Sequence, residues 1–235
     1  MKHLTDTDNA PAKFVVIDVE TSRLTGPGRL MVEAALLVLD ETLTVTERLS
    51  FVPYHDVASM VLDADPEALA VNRYFERRLF SDILPSAESL AVAERLRYDV
   101  LAGATLVGAN TAFDQSVLWD WLRSNTWPAT RGTDSTPDSD PDQPPWHFRL
   151  WDVQAATAAL HGLATPPSLS ECCDLWGFDR NPDLAHTALG DAEITAQVFK
   201  QIRAAGTKVT NIHTTTEAPP VELKRARYVF GANRR

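Results

Sequence analysis

The stretch Phe14-Val15-Val16-Ile17-Asp18-Val19-Glu20-Thr21 is an apolar, β-branched run that ends in two carboxylates. Apolar residues on both faces mark a central, buried strand. Side chains alternate across a strand, so Asp18 and Glu20 share one face and Val19 takes the other. Two anions therefore point the same way at the edge of a core. Burial worsens their repulsion unless one holds a proton, finds a cation or shares a metal ion. The bland alternative leaves both solvated where the strand gives way to a loop, and this stretch alone does not choose.

Two helices further along decide the matter. Val117, Leu118 and Trp121 fall three, four and seven residues past Asp114, which puts Asp114 on an apolar helix face. Ile194, Val198 and Ile202 fall three, seven and eleven residues beyond Asp191, with the same result. One acid near a helix start means little, because the helix dipole favours it there. Two, added to the strand doublet, make four carboxylates with a shared reason to meet. Such a set suits hard, oxygen-loving divalent cations, Mg²⁺ above all. Two ions about 3.5–4 Å apart form a clamp for in-line displacement at phosphorus. That chemistry also needs a proton acceptor for the attacking water. His186, five residues before Asp191, is the candidate base because imidazole titrates near neutrality. The other five histidines have no comparable neighbour, and surface or packing roles are expected of them.

Around these residues the chain reads as one α/β domain over 13–206. After the first strand, Arg23-Leu24-Thr25-Gly26-Pro27-Gly28 is a loop, and two strands at 30–39 and 45–52 extend an antiparallel meander. From Pro66 the period lengthens to about 3.6. A helix is expected over 66–78 with Asp65 as cap, and another from Ser86 to Gly103 with Leu90, Ala93, Leu96, Val100 and Leu101 as its apolar stripe. A short strand at 105–109, a helix at 113–124, a strand at 148–152 and helices at 153–162, 168–176 and 187–205 follow. The Pro- and Asp-rich stretch at about 126–146 predicts a mobile insertion, residues 1–12 a disordered terminus, and 207–235 a linker with a basic tail.

Composition narrows the partners. The net charge is −10, yet residues 207–235 carry six cations against two acids, leaving −14 on the remainder. An acidic body argues against coating long duplex nucleic acid, but not against gripping a few nucleotides with metal ions sharing the neutralisation. Cys172 and Cys173 are adjacent, which suits neither a disulfide nor a structural zinc site. A membrane span needs ~20 apolar residues and none is present, and the polar N-terminus is unlike a secretory signal, so a cytoplasmic protein is expected.

Asp18-Val19-Glu20-Thr21, Asn110-Thr111-Ala112-Phe113-Asp114 and His186-Thr187-Ala188-Leu189-Gly190-Asp191-Ala192 resemble, in order and spacing, the three motifs of the DEDDh 3′–5′ exonucleases. That family includes the proofreading subunit of bacterial DNA polymerase III and ribonuclease T. The resemblance covers about residues 13–205, and Val32-Glu33-Ala34 and Leu169-Ser170-Glu171-Cys172-Cys173 are also similar to family segments. It implies a ribonuclease H-like fold, a mixed five-stranded sheet of three antiparallel and two parallel strands flanked by helices. It further implies Asp18, Glu20, Asp114 and Asp191 as ligands of two divalent cations, Mg²⁺ or Mn²⁺, with Asp18 shared, and His186 as general base. Thr21, Ser22, Leu24, Asn110 and Phe113 would surround the 3′-terminal nucleotide. The implied partners are single-stranded DNA or RNA 3′ ends, with a polymerase or another replication protein as a candidate, and no membrane.

The chain departs from the family pattern at Arg23, where a Gly is common, and at Ala109, where a His is common. Both positions bear on substrate preference more than on catalysis. A 3′–5′ exonuclease releasing nucleoside 5′-monophosphates, with a modest preference for DNA, is the expected activity. The alternatives are a binding module of the same fold without turnover, an exoribonuclease that trims RNA, and a phosphatase with an aspartyl nucleophile, which would need Asp where Glu20 stands.

Overall fold

A computed structural model describes residues 13–26, 28–130 and 143–210. The terminus at 1–12, most of the expected insertion and residues 211–235 of the expected linker and basic tail lie outside the described residues, while 207–210, expected as linker, continue the last helix. Three strands, β1 (Phe14–Thr21), β2 (Met31–Leu39) and β3 (Val45–Phe51), form the antiparallel meander expected from the short connections between them. β4 (Thr105–Gly108) and β5 (Trp151–Asp152) add to the other side of β1 in parallel, giving the order β3-β2-β1-β4-β5. This is the mixed five-stranded sheet that the family resemblance implies.

Alternation along β1 divides the core. Val15, Ile17 and Val19 face one layer, where they pack with Ala93 of α3 (Ser86–Arg95) and Val117, Leu118 and Leu122 of α4 (Thr111–Thr130). Phe14 and Val16 face the other, against Val153 of α5 (Val153–His161), Cys172 of α6 (Leu169–Trp176) and Ala188, Ala192, Val198 and Phe199 of α7 (Ala188–Thr210). Both cysteines are buried and unbonded, as expected. Among the described residues no helix is long and apolar enough to cross a membrane.

Several local expectations needed correction. A helix not foreseen, α1 (Val57–Asp63), is capped by Asp56, whose side chain accepts from the Ser59 N–H. α2 (Pro66–Val71) begins as expected, with Pro66 in the first turn and Asp65 capping the Glu67 N–H, but it stops seven residues short of Arg78. Tyr74 accounts for the early stop. Arg73 turns left-handed at φ 54° and Tyr74 swings fully into a satellite core with Val32, Val52 and Met60, where its hydroxyl meets His55 Nε2 at 2.8 Å. Leu90 is exposed and Ser89 is the buried residue, its Oγ accepting from the Tyr54 N–H. The helix expected through Gly103 widens into a π-helical turn at residues 96–100, which keeps Leu96, Val100 and Leu101 all buried.

α4 is longer than expected at both ends. Thr126 donates to the Leu122 carbonyl and accepts from Arg97, so residues 126–130 continue the helix rather than open the insertion. Trp146 is buried and donates to Gln115, which ends the insertion before its expected limit. The fifth strand is only two residues long, and Phe148, expected within it, is exposed beside His147 and Arg149.

Candidate active site

The parallel pairing of β1 with β4 stops at Val16, so β1 overhangs its neighbour. The Val19 N–H on that overhang is taken by Asp114 Oδ1 at 3.0 Å. The first turn of α4 thereby comes against the strand end that carries Asp18 and Glu20. On the opposite layer α7 begins at Ala188, and Asp191 sits in its first turn. Gly190 makes that approach possible. A Cβ there would run into the Leu184 carbonyl oxygen and the Thr187 hydroxyl, so the turn before α7 lies directly on the helix backbone.

Oxygens of Asp18, Glu20 and Asp191 all lie within 4.8 Å of one another. Asp114 is only 4% exposed and Asp191 8%, as their helix spacing predicted. Asp114 stands beside Asp18 and acts on it electrostatically, yet it falls outside the three-carboxylate group and spends one oxygen on the β1 backbone. Sequence spacing put four acids together; the structure gathers three and sets the fourth alongside.

The electrostatic consequence is large. Burial, and then the charges of Asp114, Glu20 and Asp191, push Asp18 well above the usual carboxylate range. Glu20 is pushed up to about 8, first by burial and then by Asp191 and Glu33, against an opposing pull from Arg77. Burial also lifts Asp114 to about 8, although the Val19 N–H partly offsets it.

Three charged residues that sequence reasoning did not assign to the site belong to it. Glu33 stands opposite Glu20 in the β1–β2 register and is buried. Arg77 grips it with both terminal nitrogens, at 2.9 Å and 2.5 Å. Arg180 donates to Asp191 Oδ1 at 2.6 Å. His186 lies at the rim with its side chain 54% exposed, its Nδ1 4.0 Å from Asp191 Oδ2. Its backbone is left-handed, at φ 57°.

The residues expected around a terminal nucleotide are distributed unevenly. Leu24 is 65% exposed on the loop after β1, and Asn110 is exposed with a left-handed backbone at φ 60°. Phe113 is partly buried with the Arg29 guanidinium 5.0 Å from its ring centre. Thr21 and Ser22 are buried instead, and their hydroxyls serve the loop: Thr21 donates to the Arg23 carbonyl and Ser22 accepts from the Leu30 N–H.

No protein-family model matches this chain, and no curated protein matches it in sequence. Solved structures do match its fold. E. coli exonuclease I in complex with a dT13 oligonucleotide superposes with a TM-score of 0.57 at 18% identity, covering 86% of this chain and 43% of that one. The zinc-bound form of the E. coli exonuclease I complex with single-stranded DNA gives 0.61 at 17% identity, over 86% and 42%. The nuclease domain of 3′hExo, a DEDDh family member, bound to rAMP gives 0.59 at 12% identity, over 85% of this chain and 95% of that domain. The chain thus spans less than half the length of exonuclease I and nearly all of the 3′hExo domain. At these identities the likeness establishes the ribonuclease H-like architecture.

Proposed function

We propose that this chain is a DEDDh-type 3′–5′ exonuclease that hydrolyses phosphodiester bonds at the 3′ end of single-stranded or frayed nucleic acid. The observation that carries the reading is the convergence of Asp18, Glu20 and Asp191, from a central strand and a distant helix, within 4.8 Å. Asp191 is buried and Asp18 and Glu20 are half-buried; like charges gathered this far out of water are costly, and a protein that had only to bind would gain nothing from them. The donor set fits hard cations, since every converging atom is a carboxylate oxygen and no thiol joins them. Asp18, Glu20 and Asp191 would hold divalent metal, with Asp114 beside them. Two Mg²⁺ or Mn²⁺ ions would supply positive charge to the attacking water and the leaving oxygen.

The protein's own part is acid–base chemistry and positioning. His186, exposed at the rim and 4.0 Å from Asp191, would accept a proton from the water as that oxygen attacks phosphorus. The bond to the 3′ oxygen of the preceding nucleotide breaks, and that oxygen takes a proton from solvent, leaving a 3′ hydroxyl on the shortened strand and releasing a nucleoside 5′-monophosphate. Leu24, Asn110 and Phe113 would border the terminal nucleotide, while the hydroxyls of Thr21 and Ser22, engaged within the loop, shape its floor.

The test is a panel of labelled DNA and RNA oligonucleotides, single- and double-stranded and blocked at either end. Mononucleotide release from free 3′ ends with Mg²⁺ or Mn²⁺, stopped by chelator, is expected, with DNA modestly favoured. Tight binding without release in any metal would favour the non-catalytic module, and release from RNA alone the exoribonuclease. Removing a positioned base costs about 10²–10⁴-fold. His186→Ala is therefore expected to lower kcat by about 10²-fold with little change in KM; an unchanged kcat removes His186 from the role.

A further inference from the structure

The turn that presents His186 has no regular structure of its own, and two arginines from another part of the fold hold it. Arg73 and Arg77 lie in the irregular segment between α2 and the 3-10 turn at Leu79–Ser81. Arg73 Nη2 donates to the Asp183 carbonyl at 2.6 Å. Arg77 Nη1 reaches the His186 carbonyl at 3.4 Å and the Asn72 carbonyl at 3.1 Å, while the same guanidinium forks onto Glu33. Glu33 Oε2 in turn accepts from the Ala188 N–H at 3.1 Å, at the first residue of α7. A single planar side chain thus joins β2, the end of α2 and the His186 turn.

We propose that Arg77 is a positioning residue for His186. A non-glycine residue in left-handed conformation is costly, and it persists where surrounding contacts over-determine it. His186 meets that condition: Arg77 makes a long contact to its carbonyl, Arg73 holds the Asp183 carbonyl, and Glu33, aligned by Arg77, holds the N–H two residues on. The fork is what does this. Lysine would keep a positive charge against Glu33, but a single nitrogen could not grip both Glu33 oxygens, as Nη1 and Nη2 do, and reach the two carbonyls as well.

The consequence for rate rests on the exonuclease reading; the structural claim does not. Arg77→Lys keeps the ion pair that a neutral variant would lose, so it is the variant of choice. The first measurement is the imidazole Cε1–Hε1 NMR signal of His186 in metal-free protein. One sharp signal is expected in the parent chain and a broadened or split one in Arg77→Lys. An unmoved, equally sharp signal overturns the proposal whatever the activity. The second is turnover in a two-by-two cycle with His186→Ala. Misplacing a catalytic group by about 1 Å can cost 10²-fold. Arg77→Lys is accordingly expected to lower kcat about 10-fold or more at unchanged KM, and to have no further effect once His186 is gone. An equal loss in both backgrounds would show that Arg77 acts elsewhere. If the parent chain hydrolyses nothing, the exonuclease reading fails while the NMR result still decides the positioning claim.

Discussion

Replacing Asp18 with asparagine is expected to abolish measurable turnover and, at the same time, to stabilise the metal-free protein. The first effect follows from its position. Asp18 lies in the second half of β1, and the charges of Asp114, Glu20, Asp191 and Glu33 all act on it. Loss of several kcal/mol of transition-state charge stabilisation, at 1.36 kcal/mol per tenfold, lowers the rate by about 10³-fold or more. The second effect has the opposite sign from an ordinary core substitution. Asp18 titrates well above the carboxylate range in the folded chain, so the folded state binds more protons than the unfolded one over that interval. Stability therefore falls as pH rises from the ordinary carboxylate pKa, about 4, through the raised value. Asparagine keeps the shape and removes the titration. Mononucleotide release measures the first effect, and thermal midpoints in chelator at about pH 8, above the ordinary carboxylate range, measure the second. Unchanged hydrolysis would remove Asp18 from the site, and a lowered midpoint would mean the acids do not repel one another there.

The same opposition between stability and function explains which parts of the site could be read from the chain. Asp114 and Asp191 were legible because a helix repeats every 3.6 residues, and an acid on the apolar stripe violates that pattern. Asp18 and Glu20 were legible because alternation puts both on one face of an otherwise apolar strand. The antiparallel meander of β1, β2 and β3 is legible in its short connections, whereas the parallel addition of β4 and β5 is implied only by the family resemblance. Glu33 was visible as a residue but not as a member of the site, because its role depends on lying opposite Glu20, a matter of strand register. Arg77 and Arg180 left no local trace. Arg77 meets Glu33 from 44 residues away, in a segment whose spacing predicts helix. α2 ends early because Tyr74 reaches His55 in a core that exists only once the strands are assembled. Local propensity registers none of these tertiary demands.

Divalent cation binding is expected to expel protons, and this result separates a working metal site from an inert acidic pocket. Carboxylates bind Mg²⁺ or Mn²⁺ when ionised, yet burial raises both Glu20 and Asp114 to about 8 and Asp18 well above its ordinary range. Near pH 7 the metal-free nest therefore retains protons that a cation must displace. Titration calorimetry in buffers of different ionisation enthalpy should show protons released on cation binding at about pH 7, and fewer as the pH rises past the values of Glu20 and Asp114. Apparent affinity should rise by up to tenfold per pH unit for each proton released, from about pH 6 to 8, and then level off. The cation should also reverse the acid repulsion and raise the thermal midpoint by mass action, an effect that chelator removes and Asp18→Asn largely abolishes. Binding with no proton release would mean that the carboxylates are already ionised and solvated, and the case for a buried catalytic nest would fail with it. Proton release with no hydrolysis of any oligonucleotide would leave a genuine metal centre and remove the exonuclease reading, because the carboxylates would still have gathered for a cation while the reaction assigned to them would be wrong.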